Sequence, residues 1–163
     1  MIVGITGHQN LSQYNVVWIK LEMLKLLDAL PVTLGISNLA AGSDQLFANI
    51  IVEKKISLKA IIPCSGYEGT FTNDTDFSNF KYLFNRASEK LVLDFSEPSE
   101  MAFFAAGKAV VENCNLLIAI WDGHKAKGLG GTGDVVAYAL KRHLSLIHFN
   151  PLTERLIYYN YGD

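Results

Sequence analysis

Only two cysteines, Cys64 and Cys114, occur in the 163 residues. No metal-ligand spacing joins them, and the four histidines (His8, His124, His143, His148) form no HxxxH or similar pair. A zinc centre is therefore not expected, and a reducing, cytoplasmic setting is. Charge is scarce as well, at 18% of residues. The formal net charge is −2 and no basic run exists. That balance gives no general attraction for polyanions, so nucleic acid is not expected as a partner. No apolar run reaches the ~18 residues of a membrane span, and the chain opens directly on a strand-like segment with no signal-peptide pattern. Repeats, low-complexity stretches and linkers are absent, and one domain over 1–163 is expected.

What the chain does have is apolar residues, half of the total. They fall into short runs bounded by Gly and Pro, the pattern of strands buried on both faces. Strands are expected at Met1–Ile5, Val32–Ile36, Leu58–Ile62, Leu91–Phe95, Leu116–Trp121 and Leu144–Phe149. Helices are expected at Val16–Leu30, Gln45–Lys55, Phe77–Ala87, Ser99–Glu112 and Asp134–Leu140, the first capped by Asn10 or Ser12. Strand–helix alternation at this spacing gives an α/β fold of Rossmann-like, three-layer type. Its sheet is mostly parallel, and the right-handed crossover rule makes the first strand central, beside Leu116–Trp121. After Pro151 comes a tail with Tyr158, Tyr159 and Tyr161, expected to be tied down against the body or another subunit.

Three turns follow strand C-termini: Thr6-Gly7-His8, Ser37 to Asp44, and Asp122 to Asp134. In an open α/β sheet the ligand crevice lies outside those ends, where strand order reverses, so the three can meet although far apart in sequence. The backbone N–H groups of Gly130, Gly131 and Thr132, with the Thr132 hydroxyl, suit a phosphate. Those near Ala41-Gly42-Ser43 suit a second phosphate or a ribose. Valine at Gly131 or Gly42 is accordingly expected to block a ligand. Asp44 and Asp122 can accept from sugar hydroxyls; equally, Asp44 can cap its helix and Asp122 can close a turn with Gly123. His8 fits either a proton-transfer or a backbone-bonding role, Lys127 either a phosphate or water, and Trp121 either core or a stacking platform. Cys64 to Thr75 reads as a polar loop that could fold over a ligand or merely connect.

These segments carry a resemblance. Val3-Gly4-Ile5-Thr6-Gly7-His8-Gln9-Asn10-Leu11 resembles the VGxTGHRNL opening of bacterial SLOG-type Rossmannoid proteins. Ser37 to Ala48 resembles their SxLAxGADxLFA segment. Ala119–Gly123, Gly130–Thr132 and Val135–Ala139 resemble their AVWDG…GGT…VVAYA segment. The superfamily includes the DprA and Smf domains, the LOG phosphoribohydrolases and ADP-ribose-binding sensor domains. The resemblance implies a nucleotide-derived small-molecule ligand such as ADP-ribose or a cyclic relative, no cofactor, a homo-oligomer, and a sensor module that signals to a partner effector.

The alternative is an N-glycosidase. The phosphoribohydrolase signature PGGxGTxxE puts its glutamate at Ala137, and the deoxyribosyltransferase GTxxE puts its own at Val135. The phosphoribohydrolase arginine in the helix before this strand is also missing, that helix holding Lys108. The remaining catalytic candidates are Asp134 and Asp122.

Overall fold

The computed structural model describes residues 1–160. It holds seven strands: β1 (Ile2–Gly7), β2 (Leu34–Ser37), β3 (Ser57–Ile62), β4 (Glu89–Val92), β5 (Leu116–Ile120), β6 (Ser145–Asn150) and β7 (Arg155–Tyr159). Five α-helices join them: α1 (Val16–Ala29), α2 (Ser43–Glu53), α3 (Asp74–Arg86), α4 (Glu100–Asn113) and α5 (Thr132–Lys141). The sheet order is β4-β3-β2-β1-β5-β6-β7, parallel throughout except for β7. The first strand is central, as the crossover rule requires, and strand order reverses between β1 and β5. Gly7 pairs with Ile120 at the upper end of that junction.

Period-two alternation sorts β5 onto two cores. Leu116, Ile118 and Ile120 join a core with Ile19 and Met23 of α1 and Phe47 and Ile51 of α2. Leu117 and Ala119 join another with Val110 of α4 and Val136 and Ala139 of α5. Helices thus cover both faces, and every β5 residue is buried. Among the described residues no helix is long and apolar enough to cross a membrane.

Several boundaries differ from the sequence reading. Asn15 caps α1, accepting from the Trp18 N–H at 3.1 Å, whereas Asn10 accepts from the Ser12 N–H and hydroxyl in the preceding turn. The fourth strand starts two residues earlier than expected, at Glu89; all four of its residues are exposed, so burial leaves no alternation to read. The tail forms β7, pairing antiparallel with β6 (Leu146 with Tyr159, Ile147 with Tyr158). Tyr161 lies outside the described residues.

Candidate functional site

The three turns meet, and His8 is where they join. Its backbone N–H donates to the Ile120 carbonyl at the end of β5 (3.0 Å). Its carbonyl accepts from both the N–H (3.1 Å) and the hydroxyl (2.8 Å) of Ser43 at the head of α2. Its ring Nε2 accepts from the Asp122 N–H at 3.1 Å and lies 3.2 Å from Asp122 Oδ1. Tyr14 stacks on the ring at a centroid distance of 6.0 Å. One residue after β1 therefore fastens β5, the turn after it and α2 together.

Above this junction lies a crevice of about 660 Å³, within the usual range for small-molecule sites. Thr6, Gly7, His8, Ala41, Asp44, Asp122, Lys127, Gly130, Gly131 and Thr132 line it. Gly42 and Ser43 do not. Gly42 has φ +78°, and a Cβ there would stand 2.2 Å from the Gln9 carbonyl oxygen, so its glycine serves the packing of the second turn on the first. The Ser43 N–H is taken by His8, which removes it from any second phosphate site. Valine at Gly42 therefore acts on the fold, contrary to the expectation that it would act on a ligand.

The helix α5 starts at Thr132, two residues earlier than its apolar pattern indicates. Asp134 accepts from the Gly130 N–H at 2.9 Å and so braces the glycine turn against the first turn of α5. The next three N–H groups, of Gly131, Thr132 and Gly133, donate to no acceptor among the described residues, and all three residues line the crevice. Free donors at a helix head have the chemistry to take an anion, since the helix dipole adds a partial positive charge there. Gly131 has φ −68°, which any residue adopts, but a Cβ there would stand 2.8 Å from the Ala126 Cβ, so the loop has to shift to admit one.

Two carboxylates face this space in different states. Asp44 is buried, and burial pushes its carboxyl up to about 7 against the N–H groups of Ala40 and Asn38 and the Ser37 hydroxyl, which pull it down. One of its oxygens accepts from the Asn38 N–H at 3.1 Å. At Asp122 partial burial pushes up, but the His124 N–H and side chain and the His8 ring outweigh it and hold the carboxyl below its ordinary value. Asp122 both closes its turn, accepting from the His124 N–H at 3.0 Å, and faces the crevice.

Aromatic walls complete the space: Tyr14, Tyr67, Phe71, Phe103 and Trp121 all line it. Trp121 is half-buried, its indole N–H donating to the His124 carbonyl at 2.7 Å. Sequence reasoning singled out neither Phe103, which reads as an ordinary core position of α4, nor a role for the buried ring of Tyr67. The positions at which related chemistries carry a glutamate are bare. Ala137 is exposed on the outer side of α5, and Val135 is buried against Gly107. Lys108 lies over the Phe104 ring at 4.9 Å and is absent from the crevice wall.

No family model matches the sequence, and no curated protein matches it. Solved structures do match. DNA processing protein A (DprA) from Streptococcus pneumoniae superposes with a TM-score of 0.64 over 90% of this chain, at 17% identity. The fold is similar to that of DprA. DprA from Helicobacter pylori, described for its single-stranded DNA binding mode, superposes with a TM-score of 0.64 over 91% of this chain, also at 17% identity. The chain spans 49% of the first DprA and 64% of the second. At the level of fold this agrees with the SLOG resemblance, of which DprA is one branch. It also corrects one expectation. Net charge gives no expectation of nucleic acid, but the H. pylori DprA, with a similar fold, binds single-stranded DNA. Net charge averages over a whole surface, whereas a strand is held by local donors and by aromatic rings on which bases stack.

Proposed function

We propose that the crevice binds a nucleotide, its phosphate held by the main-chain N–H groups of Gly131, Thr132 and Gly133 and by the Thr132 hydroxyl. One observation carries this reading: three consecutive unspent donors at the head of α5, opening on a crevice that also holds a buried carboxyl and several aromatic rings. Phosphate suits the donors, a base suits the rings, and hydroxyls suit the carboxyl. An ADP-ribose-like compound or a cyclic relative has all three parts, and binding it without turnover is the behaviour of a sensor. The bare positions at Val135 and Ala137, and the engagement of Asp134 by Gly130, weigh against glycosidic-bond cleavage.

Calorimetric titration with nucleoside monophosphates and ADP-ribose tests this. Thr132→Val keeps the side-chain shape and removes the hydroxyl, and should weaken binding by about 1–3 kcal/mol, as for a hydrogen bond to a charged group. Gly131→Val, allowed by its backbone angles but forcing the Ala126 side of the loop to move, should weaken it by more than tenfold (roughly 1.4 kcal/mol) while the strands and helices stay folded. Unchanged affinity in both variants would move the phosphate elsewhere. Free base in the same mixtures would favour the glycosidase instead.

A second reading is favoured by the DprA likeness: the nucleotide is one unit of a single strand. Fluorescence anisotropy of a labelled oligonucleotide separates the two. Tight oligonucleotide binding that mononucleotides do not compete supports the strand, and the reverse supports the free ligand.

A further inference from the structure

Tyr67 opens a short 3-10 turn, Tyr67–Thr70, inside the segment that the sequence leaves as a polar loop. The Thr70 hydroxyl donates to its carbonyl at 2.7 Å. Its ring is gripped by Phe71, Phe80 and Phe103 at centroid distances of 5.5, 5.6 and 6.4 Å. The residue is only 5% exposed, yet it lines the crevice. Its hydroxyl has no hydrogen-bond partner among the described residues. A phenol whose ring is buried usually finds a partner for its hydroxyl within the protein, because an unpaired polar group in an enclosed site costs free energy. The Tyr67 hydroxyl is not sealed in; it keeps its access to solvent, and therefore to a ligand, on the crevice that the residue lines.

Asp44 is the second wall of the same corner. It too is buried and lines the crevice. Its charge reaches the Tyr67 phenol, which burial first and then Asp44 push upward. The Asn38 and Ala40 N–H groups and the Ser37 hydroxyl take up most of the carboxyl's lone pairs, leaving room for one more donor. A sugar's hydroxyl edge suits this pair, since a hydroxyl can donate to Asp44 and the same or a neighbouring one can accept from Tyr67. The distance also suits. Asp44 follows β2 and the phosphate donors follow β5, with β1 between them. Two strand spacings are roughly 10 Å, the order of length of a nucleotide's sugar and phosphate together.

We propose that Tyr67 and Asp44 form a subsite that reads the hydroxyl edge of the ligand's sugar, so that the crevice prefers ribonucleotides to their deoxy counterparts. This rests on the nucleotide reading above. The test is calorimetry on the full chain with AMP, GMP, CMP and UMP, each against its 2′-deoxy and 2′,3′-dideoxy analogue. In the wild type at least one ribonucleotide should bind about tenfold or more tightly than its dideoxy analogue. Tyr67→Phe keeps the ring against its three neighbours, and should erase that ratio by weakening the ribonucleotide alone. A purely structural tyrosine would lower both affinities together and leave the ratio intact, which would overturn the role of Tyr67. Equal wild-type affinities for the two sugars, with binding still sensitive to Thr132→Val, would overturn the sugar subsite and leave the phosphate site standing. That comparison decides even if Tyr67→Phe does not fold. Binding of none of these nucleotides, nor of ADP-ribose, at about 1 mM would overturn both the subsite and the free-nucleotide reading.

Discussion

Gly42→Ala should lower stability by roughly 3–5 kcal/mol, a large effect for the addition of one methyl group. Two terms add. The backbone sits at φ +78°, ψ −120°, a region that side chains rarely enter, and the new Cβ would stand 2.2 Å from the Gln9 carbonyl oxygen and 2.7 Å from that of His8. Neither oxygen can step aside, because both belong to the turn that His8 fastens to β5 and α2. Gly66 provides a contrast: its φ +73°, ψ 15° is the milder left-handed helical region, and an added Cβ there meets nothing within 4 Å. Gly66→Ala should therefore cost only the strain, about 1 kcal/mol. Urea unfolding of both variants measures the difference. Equal losses would mean that the two turns do not press on each other.

Asp44→Asn should remove most of one pH dependence. In the unfolded chain this carboxyl ionises near 3.8, and in the folded protein near about 7. Between those values the native state holds a proton that the unfolded chain has released. Stability attributable to Asp44 is thus greatest below the lower value, falls as pH rises through the window, and is flat above the upper one. At 1.36 kcal/mol per pH unit the full span is about 4 kcal/mol. The neutral amide cannot ionise, so wild type minus variant stability should decline across this window by up to that amount. Denaturant titrations between about pH 4 and pH 8 read it directly. Parallel curves would mean that Asp44 ionises normally and is better solvated than its burial indicates.

Both effects arise in a part of the molecule that was only half legible from the chain. The strands around the crevice were plain, because β1, β3 and β5 are apolar runs cut off by glycine or proline, and burial on both faces demands such runs. The meeting of the three turns followed from strand order alone. Which atoms meet did not. The bond from the Asp122 N–H to the His8 ring spans 114 positions, and nothing local marks it. The same holds for Gly42, whose glycine answers to Gln9 in another turn and not to a ligand. Tyr67 reads only as one residue of a loop that could fold over a ligand, since a tyrosine in a polar loop looks exposed until Phe71, Phe80 and Phe103 close around it. At the far edge, Pro151 read as the end of regular structure, whereas the chain turns there and returns as β7. Edge strands such as β4 and β7 bury little, so they leave a weak pattern.

The central claim is that α5 presents its free N–H groups to a nucleotide phosphate. Amide NMR of the full chain during titration with AMP, and separately with inorganic phosphate, tests it most directly. The claim predicts that the Gly131, Thr132 and Gly133 amides move furthest and shift downfield with both ligands, as N–H groups do when they gain an anionic acceptor, while the Ser43 amide, already bonded to His8, moves little. Saturable binding that leaves those three amides in place, with the largest shifts elsewhere on the surface, would contradict it.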